Sequence, residues 1–327
     1  MICPRCQTIN PDLHRFCREC GGRLAERGPF RGTLRERLYH GIALLNQGAL
    51  PEARAEFLRC VELDPTHAMA RYYLGQTYLF EGKLDEARAS LERALRLEPG
   101  LANAELLLGV LSEIEVKNVE ALQHFRRAHR ANPSCGLALY WVAELLRRSK
   151  EYREAIKVYQ GLHEADPEDI APRYYLAQVE EERGQPGRAE EILADITREH
   201  PQFPAGHREL GDLKRRLGDK EAAAECYARY ADVAPQQAEA HLRLGATLAD
   251  LGRVDEARVS LARALELRED LAEAHYELGV LEYTDFGDPE GATRHLERAV
   301  ELNPSDPSAR LILNELKFLN LGGGSGA

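Results

Sequence analysis

Residues 68–101 read AMARYYLGQTYLFEGKLDEARASLERALRLEPGL, and Pro99 near the end of that stretch is one rung of a ladder. Pro65, Pro99, Pro133, Pro167, Pro201 and Pro235 stand at a constant interval of 34 residues. A single globular core has no reason to keep such a count, whereas a chain that stacks copies of one supersecondary unit does. Counted from Leu34, the repeats run 34–67, 68–101, 102–135, 136–169, 170–203, 204–237 and 238–271, with an eighth over 272–306.

The register exposes what each repeat holds constant. Position 8 is small throughout: Gly41, Gly75, Gly109, Ala143, Ala177, Gly211, Gly245 and Gly279. Position 20 is alanine from Ala53 to Ala257, and position 24 is bulky, as in Phe57, Leu91, Phe125, Tyr159, Leu193, Tyr227 and Leu261. Positions 4, 7, 8 and 11 fall on one face of a first helix, and 20, 24 and 27 on one face of a second. A small residue at position 8 lets the two helices approach closely. The proline at position 32 then stops the second helix. The expected class is all-α, two helices per repeat.

This pattern resembles the tetratricopeptide repeat family over residues 34–306. The resemblance implies a right-handed superhelical solenoid of about eight repeats, with a concave groove lined by first-helix positions 2, 5, 9, 12 and 13. The groove residues it marks are Leu38, Ile42, Met69, Tyr72, Leu79, Phe80, Leu106, Val110, Ile114 and Tyr140, followed by Arg147 and Arg148. That wall is apolar and aromatic in repeats one to four and turns charged in repeats four to six, which suits an extended peptide or a partner helix. A carboxylate clamp for chaperone tails needs Lys, Arg and Asn at set places; Leu38 and Ile42 fill two of them. The tryptophan common at position 4 is missing. Two departures are local: Glu269 replaces the seventh proline, and one extra residue lengthens the turn around 284–288.

His207, His241 and His275 also fall 34 apart, at position 4. Stacked helices lie about 8–10 Å apart while metal–nitrogen bonds are about 2.0–2.1 Å, so these read as packed histidines rather than joint ligands. Residues 307–321 are expected to form a capping helix that begins at Pro307 and carries Leu311, Ile312, Leu313, Leu316, Phe318 and Leu319. It is either packed on the last repeat or open for self-association or docking. Residues 322–327 read as a flexible Gly/Ser tail.

The other end carries different chemistry. Cys3-Pro-Arg-Cys6 and Cys17-Arg-Glu-Cys20 are two C-x2-C knuckles separated by ten residues. Each tight turn aims two sulfurs at one ion, and two turns complete a tetrahedral thiolate cage. The segment resembles the short zinc ribbons at the N-terminus of many bacterial multidomain proteins. One structural Zn2+ on Cys3, Cys6, Cys17 and Cys20 is expected, with no open coordination position. The ribbon covers 1–25 and a linker 26–33.

Eight arginines against four carboxylates give residues 1–37 a surplus of four positive charges. The whole chain is −11, so the remainder sums to −15. An acidic chain argues against a nucleic-acid role for the molecule as a whole. There is no secretory h-region and no apolar run of 18 residues, and a reducing cytoplasm is the simplest compartment for the cysteines. No Ser/His/Asp set, phosphate loop or open metal site is recognisable. The expectation is a non-enzymatic scaffold that binds a protein or peptide in its groove, with the ribbon as accessory contact. The alternatives are a structural subunit of a larger assembly and a nucleic-acid-associated regulator acting through the ribbon.

Overall fold

The computed structural model describes residues 32–322, and among them every regular element is an α-helix. Cys3, Cys6, Cys17 and Cys20, and the ribbon they were expected to build, lie outside the described residues, as do residues 323–327. The chain divides into two compact units, Met1–Val142 and Ala143–Ala327. The first holds α1 (Leu34–Asn46), α2 (Leu50–Leu63), α3 (Ala68–Phe80), α4 (Leu84–Leu97), α5 (Ala102–Ile114) and α6 (Asn118–Ala131). The division falls inside α7 (Gly136–Arg148). The second continues with α8 (Tyr152–Ala165), α9 (Ala171–Glu182), α10 (Pro186–Glu199), α11 (Pro204–Arg216) and α12 (Lys220–Val233). It ends with α13 (Ala238–Asp250), α14 (Val254–Leu267), α15 (Ala272–Thr284), α16 (Pro289–Leu302) and α17 (Pro307–Gly322). In each unit every helix packs on the next, and first helices of successive repeats touch, as α1 does α3 and α13 does α15.

The approach at position 8 sets the hairpin. A Cβ built on Gly41 would stand 2.6 Å from Cε1 of Phe57, and one on Gly245 would stand 2.6 Å from Cγ of Leu261. Real carbons do not come that close, so the glycine is what lets the position 24 side chain cross the first helix. Phe57, Leu91 and Phe125 in the first unit, and Tyr159, Tyr227, Leu261 and Leu296 in the second, are fully enclosed. Ala143 and Ala177 carry their extra carbon at the same place and are buried too.

Each second helix ends at one repeated corner. The N–H of position 31 closes the last turn, as from Glu98 to the carbonyl of Ala94 at 2.8 Å. Proline 32 offers no donor to continue it. The next turn closes three residues on, as from Leu101 N–H to Glu98 O at 3.1 Å. At five of the described corners the carbonyl of position 32, or its equivalent, is then taken by the position 4 side chain of the following repeat. Arg71 donates to Pro65 O at 3.2 Å, His207 to Pro201 O at 3.0 Å, His241 to Pro235 O at 3.1 Å and His275 to Glu269 O at 3.0 Å. Arg310 does the same to Pro304 O at 2.6 Å. A carbonyl can only accept, so the proton of each of these histidines sits on Nε2. This explains why a donor replaces tryptophan at position 4 in those repeats, although Glu105 and Leu139 stand there in two others. It also explains why the corner survives at Glu269, where α14 still ends at Leu267.

First helices bury more than the face formed by positions 4, 7, 8 and 11. Position 3 is enclosed at Ala70, Ala104, Ala138, Ala240 and Ala274, and position 10 at Thr77, Leu111, Leu145, Val179, Leu213, Thr247 and Leu281. A first helix is packed by its own hairpin partner and by the preceding second helix, so one stripe is not enough. Thr77 and Thr247 are tolerated there because each hydroxyl donates to a carbonyl four residues back, at 2.7 and 2.8 Å.

Position 15, between the helices, takes a positive φ. Gly48, Gly82, Gly184, Gly218 and Gly252 adopt it without cost, whereas Val116 (φ 61°) and Lys150 (φ 60°) do not. In the eighth repeat the extra residue is absorbed in this turn. Gly287 takes the left-handed conformation, Asp288 caps α16 through Gly291 N–H at 2.9 Å, and Phe286 lies under Arg258 at 4.2 Å. Helix α17 packs Ala309, Leu313 and Leu316 onto Ala292, Leu296 and Ala299, with Ile312 at the edge and Leu311 exposed. The side chains of Phe318 and Leu319 fall outside the described residues.

Val116 is 75% exposed, so no core contact rewards its backbone. Val116→Gly is therefore expected to raise stability by about 1 kcal/mol, since a left-handed residue with a Cβ costs roughly 1–2 kcal/mol. Urea unfolding followed by circular dichroism would show the gain as a higher midpoint, and an unchanged midpoint would contradict it.

Candidate functional site

The first-helix residues that a groove would use separate by environment. In the first unit, Tyr72 is not a surface group. It is 8% exposed and packs with Leu91, Ala94, Ala104 and Leu108, with Met69 at the edge of that cluster. Tyr73, the next residue, stacks on Phe57 at 5.5 Å and meets Tyr72 edge-on at 4.9 Å. The same stack of a position 24 ring on a position 6 ring recurs for Phe125 and Trp141, at 5.5 Å. In the second unit it recurs for Tyr159 and Tyr175, at 5.7 Å.

Leu38 and Ile42 are half-buried over the core of the first repeat, and Leu79, Leu106, Val110 and Tyr140 are half-buried as well. Phe80, Ile114 and Leu137 are open, at 57%, 54% and 53% exposure. Phe80 and Ile114 occupy position 13 of α3 and α5, two helices in mutual contact. Two large apolar side chains thus stand in equivalent places one repeat apart, flanked by half-buried apolar neighbours.

The equivalent face of the second unit is a ladder of ion pairs. Arg147 grips Glu144 through two nitrogens at 2.7 and 2.8 Å and reaches Glu182 on the next first helix. Arg216 holds Glu181 at 2.6 Å, Arg215 holds Asp250 at 3.4 Å and Arg243 holds Asp212 at 2.5 Å. The buried Tyr227 hydroxyl donates to the same Asp212 carboxylate at 2.6 Å, and Tyr174 donates to Glu209 at 2.9 Å. Apart from Arg147–Glu144 and Tyr227–Asp212, which lie within one repeat, these rungs cross between neighbouring repeats. Arg148 is exposed at the end of α7.

Glu277, on α15, is half-buried on this side. Burial, then Glu273 and Asp250, push its carboxyl up to about 7, against the pull of Arg215.

Position 4 also pairs across the hairpin with position 23 or its equivalent. Arg37 meets Glu56 at 2.9 Å, and Glu105 meets His124 at 2.6 Å. Arg127 joins the second pair, 3.1 Å from Glu105. The Glu105 carboxyl sits below its usual range: burial raises it, but the hydrogen bond from His124 and the charge of Arg127 win. His275 meets His295, with the two Nδ1 atoms 2.9 Å apart. The 34-residue spacing marks His275 but not His295, because the equivalent place in the two preceding repeats holds Cys226 and Ser260. The spaced histidines His207, His241 and His275 each bond to their own corner carbonyl.

Among the described residues no three His, Cys, Asp or Glu side chains converge as a metal-binding group. Cys60 and Cys226 have thiols that burial pushes up to about 11, which keeps them protonated and unreactive at neutral pH. No described helix is long and apolar enough to cross a membrane.

Comparison with known proteins agrees with this geometry. A tetratricopeptide repeat model matches residues 38–112, 117–170, 208–271 and 247–307, and a second model of that description matches 146–213. A tetratricopeptide repeat protein from Parabacteroides merdae is 16% identical, with 87% of this chain and 98% of that one covered and a TM-score of 0.52. Yeast Tom70 is 15% identical, covering 90% and 66%, with a TM-score of 0.57. A chain of the APC/C hetero-tetramer Cut9–Hcn1 is 19% identical, with 82% of this chain covered and a TM-score of 0.49. This chain spans about half the length of that relative (52%) and just under two thirds of Tom70 (66%). At such identities the likeness is one of fold. No curated protein matches the chain.

Glu277→Gln should stabilise the protein at pH 8 by about 1–2 kcal/mol and have little effect at pH 4.5. The folded state binds the Glu277 proton up to about pH 7, while the unfolded chain releases it near 4.5. Native stability therefore falls as pH rises between those values, and the amide removes that loss. Thermal melts of the two proteins at pH 4.5 and 8 give the comparison; equal shifts at both would contradict it.

Proposed function

The chain belongs to the tetratricopeptide repeat family, and from that premise we propose that it is a non-enzymatic scaffold that captures a segment of another protein on the first-helix face of residues 34–142. The fold is one typical of protein-interaction scaffolds and complex subunits. The observation that carries the reading is the contrast between equivalent positions. Phe80 and Ile114 stand open to water at position 13 in the first unit, whereas Glu182, Arg216 and Asp250 at position 13 in the second are engaged by charges on neighbouring repeats.

An apolar segment that covers Phe80 and Ile114 removes surface worth about 25 cal/mol per Å2. A segment laid on the ladder of the second unit first has to break pairs that are already satisfied. The ligand is an extended or helical peptide with two apolar anchors, since the two side chains repeat at the same place on adjacent helices. Leu38, Ile42, Leu79, Leu106, Val110 and Tyr140 form the half-buried floor, and Tyr72 supports it from within. Phe80→Glu with Ile114→Glu should abolish partner capture in a pull-down with the full chain. Arg215→Ala with Arg216→Ala should leave it intact. Retention of the partner by the first variant would refute the assignment.

Cys3, Cys6, Cys17 and Cys20 are the second element of the proposal. Four thiolates with two-residue spacing fit one Zn2+, which would fold residues 1–25 as a contact module without an open site for chemistry. The cytoplasm suits such a set of thiolates. Elemental analysis should find one zinc per chain, lost on Cys6→Ser with Cys20→Ser while the helical circular dichroism signal stays. A full zinc equivalent in that variant would remove the ribbon from the account.

A further inference from the structure

We propose that His275 and His295 form a transition-metal site, in which their two Nδ1 atoms are cis ligands of one divalent cation and water fills the remaining positions. The histidines belong to α15 and α16, the two helices of one hairpin, with ring centroids 5.2 Å apart and planes at 37°. Their Nδ1 atoms are 2.9 Å apart.

The outward nitrogens argue for a shared cation. His275 Nε2 lies 3.0 Å from the carbonyl of Glu269, an obligate acceptor, so its proton is on Nε2 and its Nδ1 presents a lone pair. His295 Nε2 faces a carboxylate oxygen of Glu282 at 3.7 Å. That neighbour also favours a proton on Nε2, which leaves a second Nδ1 lone pair 2.9 Å from the first. Two lone pairs at that distance repel unless a proton bridges them or one cation, set off the N–N line, binds both. A proton there turns the bare Nε2 of His295 toward the Glu282 carboxylate, whose other oxygen is buried without a partner. A cation bound by both Nδ1 atoms keeps the Nε2 proton of His275 on the Glu269 carbonyl and that of His295 turned toward Glu282. An outward N–H bonded to a carbonyl or facing a carboxylate is the second-shell arrangement of metal-bound histidine.

The distance also selects the metal class. Nitrogens at about 2.05 Å from one ion and 2.9 Å apart subtend about 90°. That is the cis angle of square-planar or octahedral coordination, which suits Ni2+ or Cu2+ over tetrahedral Zn2+. Burial holds both imidazoles below their ordinary range, so both are neutral and able to bind at pH 7. The charge of Arg298 on His275 and of Arg294 on His295 adds to that effect, and Glu282, whose own carboxyl is raised by burial and by Asp288, faces His295. The site would clamp the one hairpin whose turn carries the inserted residue.

Calorimetric titration of the full, zinc-loaded chain with Ni2+ tests the assignment, since zinc occupancy takes the N-terminal thiolates out of the measurement. The wild type should show one Ni2+ site that His275→Gln and His295→Gln each weaken by about tenfold or more. His241→Gln, which removes a position 4 histidine bonded to the Pro235 carbonyl, should leave it unchanged. On the wild-type chain alone, Cu2+ electron paramagnetic resonance should show hyperfine coupling to two equivalent nitrogens, whatever the fate of the variants. Absence of a Ni2+ site in the wild type, equal affinity in His295→Gln, or a copper spectrum without paired nitrogen coupling would each overturn the proposal.

Discussion

The structure depends on a missing carbon. At position 8 the first helix lets the second come so close that a Cβ on glycine would enter the ring or branch at position 24. Interiors are packed at crystal density, so such a contact has one good solution and many bad ones. Each hairpin therefore fixes its own crossing. The corner at position 32, bonded at five places by a position 4 donor, then leads into the next hairpin. Register at every other position is a consequence. Phe80 faces water and Leu74 faces the core of the same helix because Gly75 has placed α4 against it.

Much of this was legible in the sequence because the repeat copies its errors as well as its rules. Eight small residues and six prolines in strict step declare two helices per repeat. Outward-facing residues were harder to read. Tyr72 counts as a groove residue by register, yet it fills the space between its own repeat and the next. A tyrosine is long enough to lie along the helix surface and bury its ring. The alanines at position 3 carry almost no hydropathic signal, and their burial follows from a second neighbour that a single-helix periodicity does not include. The charges of repeats four to six read as groove residues, but their partners are about 35 residues away. Val116 looks like an ordinary apolar residue; only the backbone shows that it stands where six other repeats place glycine.

The two compact units treat the same positions in different ways. In the first, Phe80, Ile114 and Leu137 stand open on the first helices, and their free energy is unrealised until something covers them. In the second, Arg147, Arg215, Arg216 and Arg243 are matched by carboxylates of neighbouring repeats. Exposed pairs of this kind contribute only about 0–1 kcal/mol each to stability. Their larger effect is to present a partner with a surface already neutral on the scale of one side chain. Acidity of the chain as a whole is thus a poor guide to the field near these helices.

Helix α17 follows the register of a first helix, but its position 8 is Asn314 and its position 11 is Lys317, both exposed. No second helix can cross it at the distance that Gly41 or Gly245 allows. A gene that lengthens by duplicating 34-residue segments would therefore have to grow from within. A copy inserted between existing repeats meets compatible surfaces on both sides, while one appended after α17 meets an amide and an ammonium where the crossing should be. Internal repeats thus carry surfaces that accept a further copy, whereas Asn314 and Lys317 give α17 a crossing face that does not.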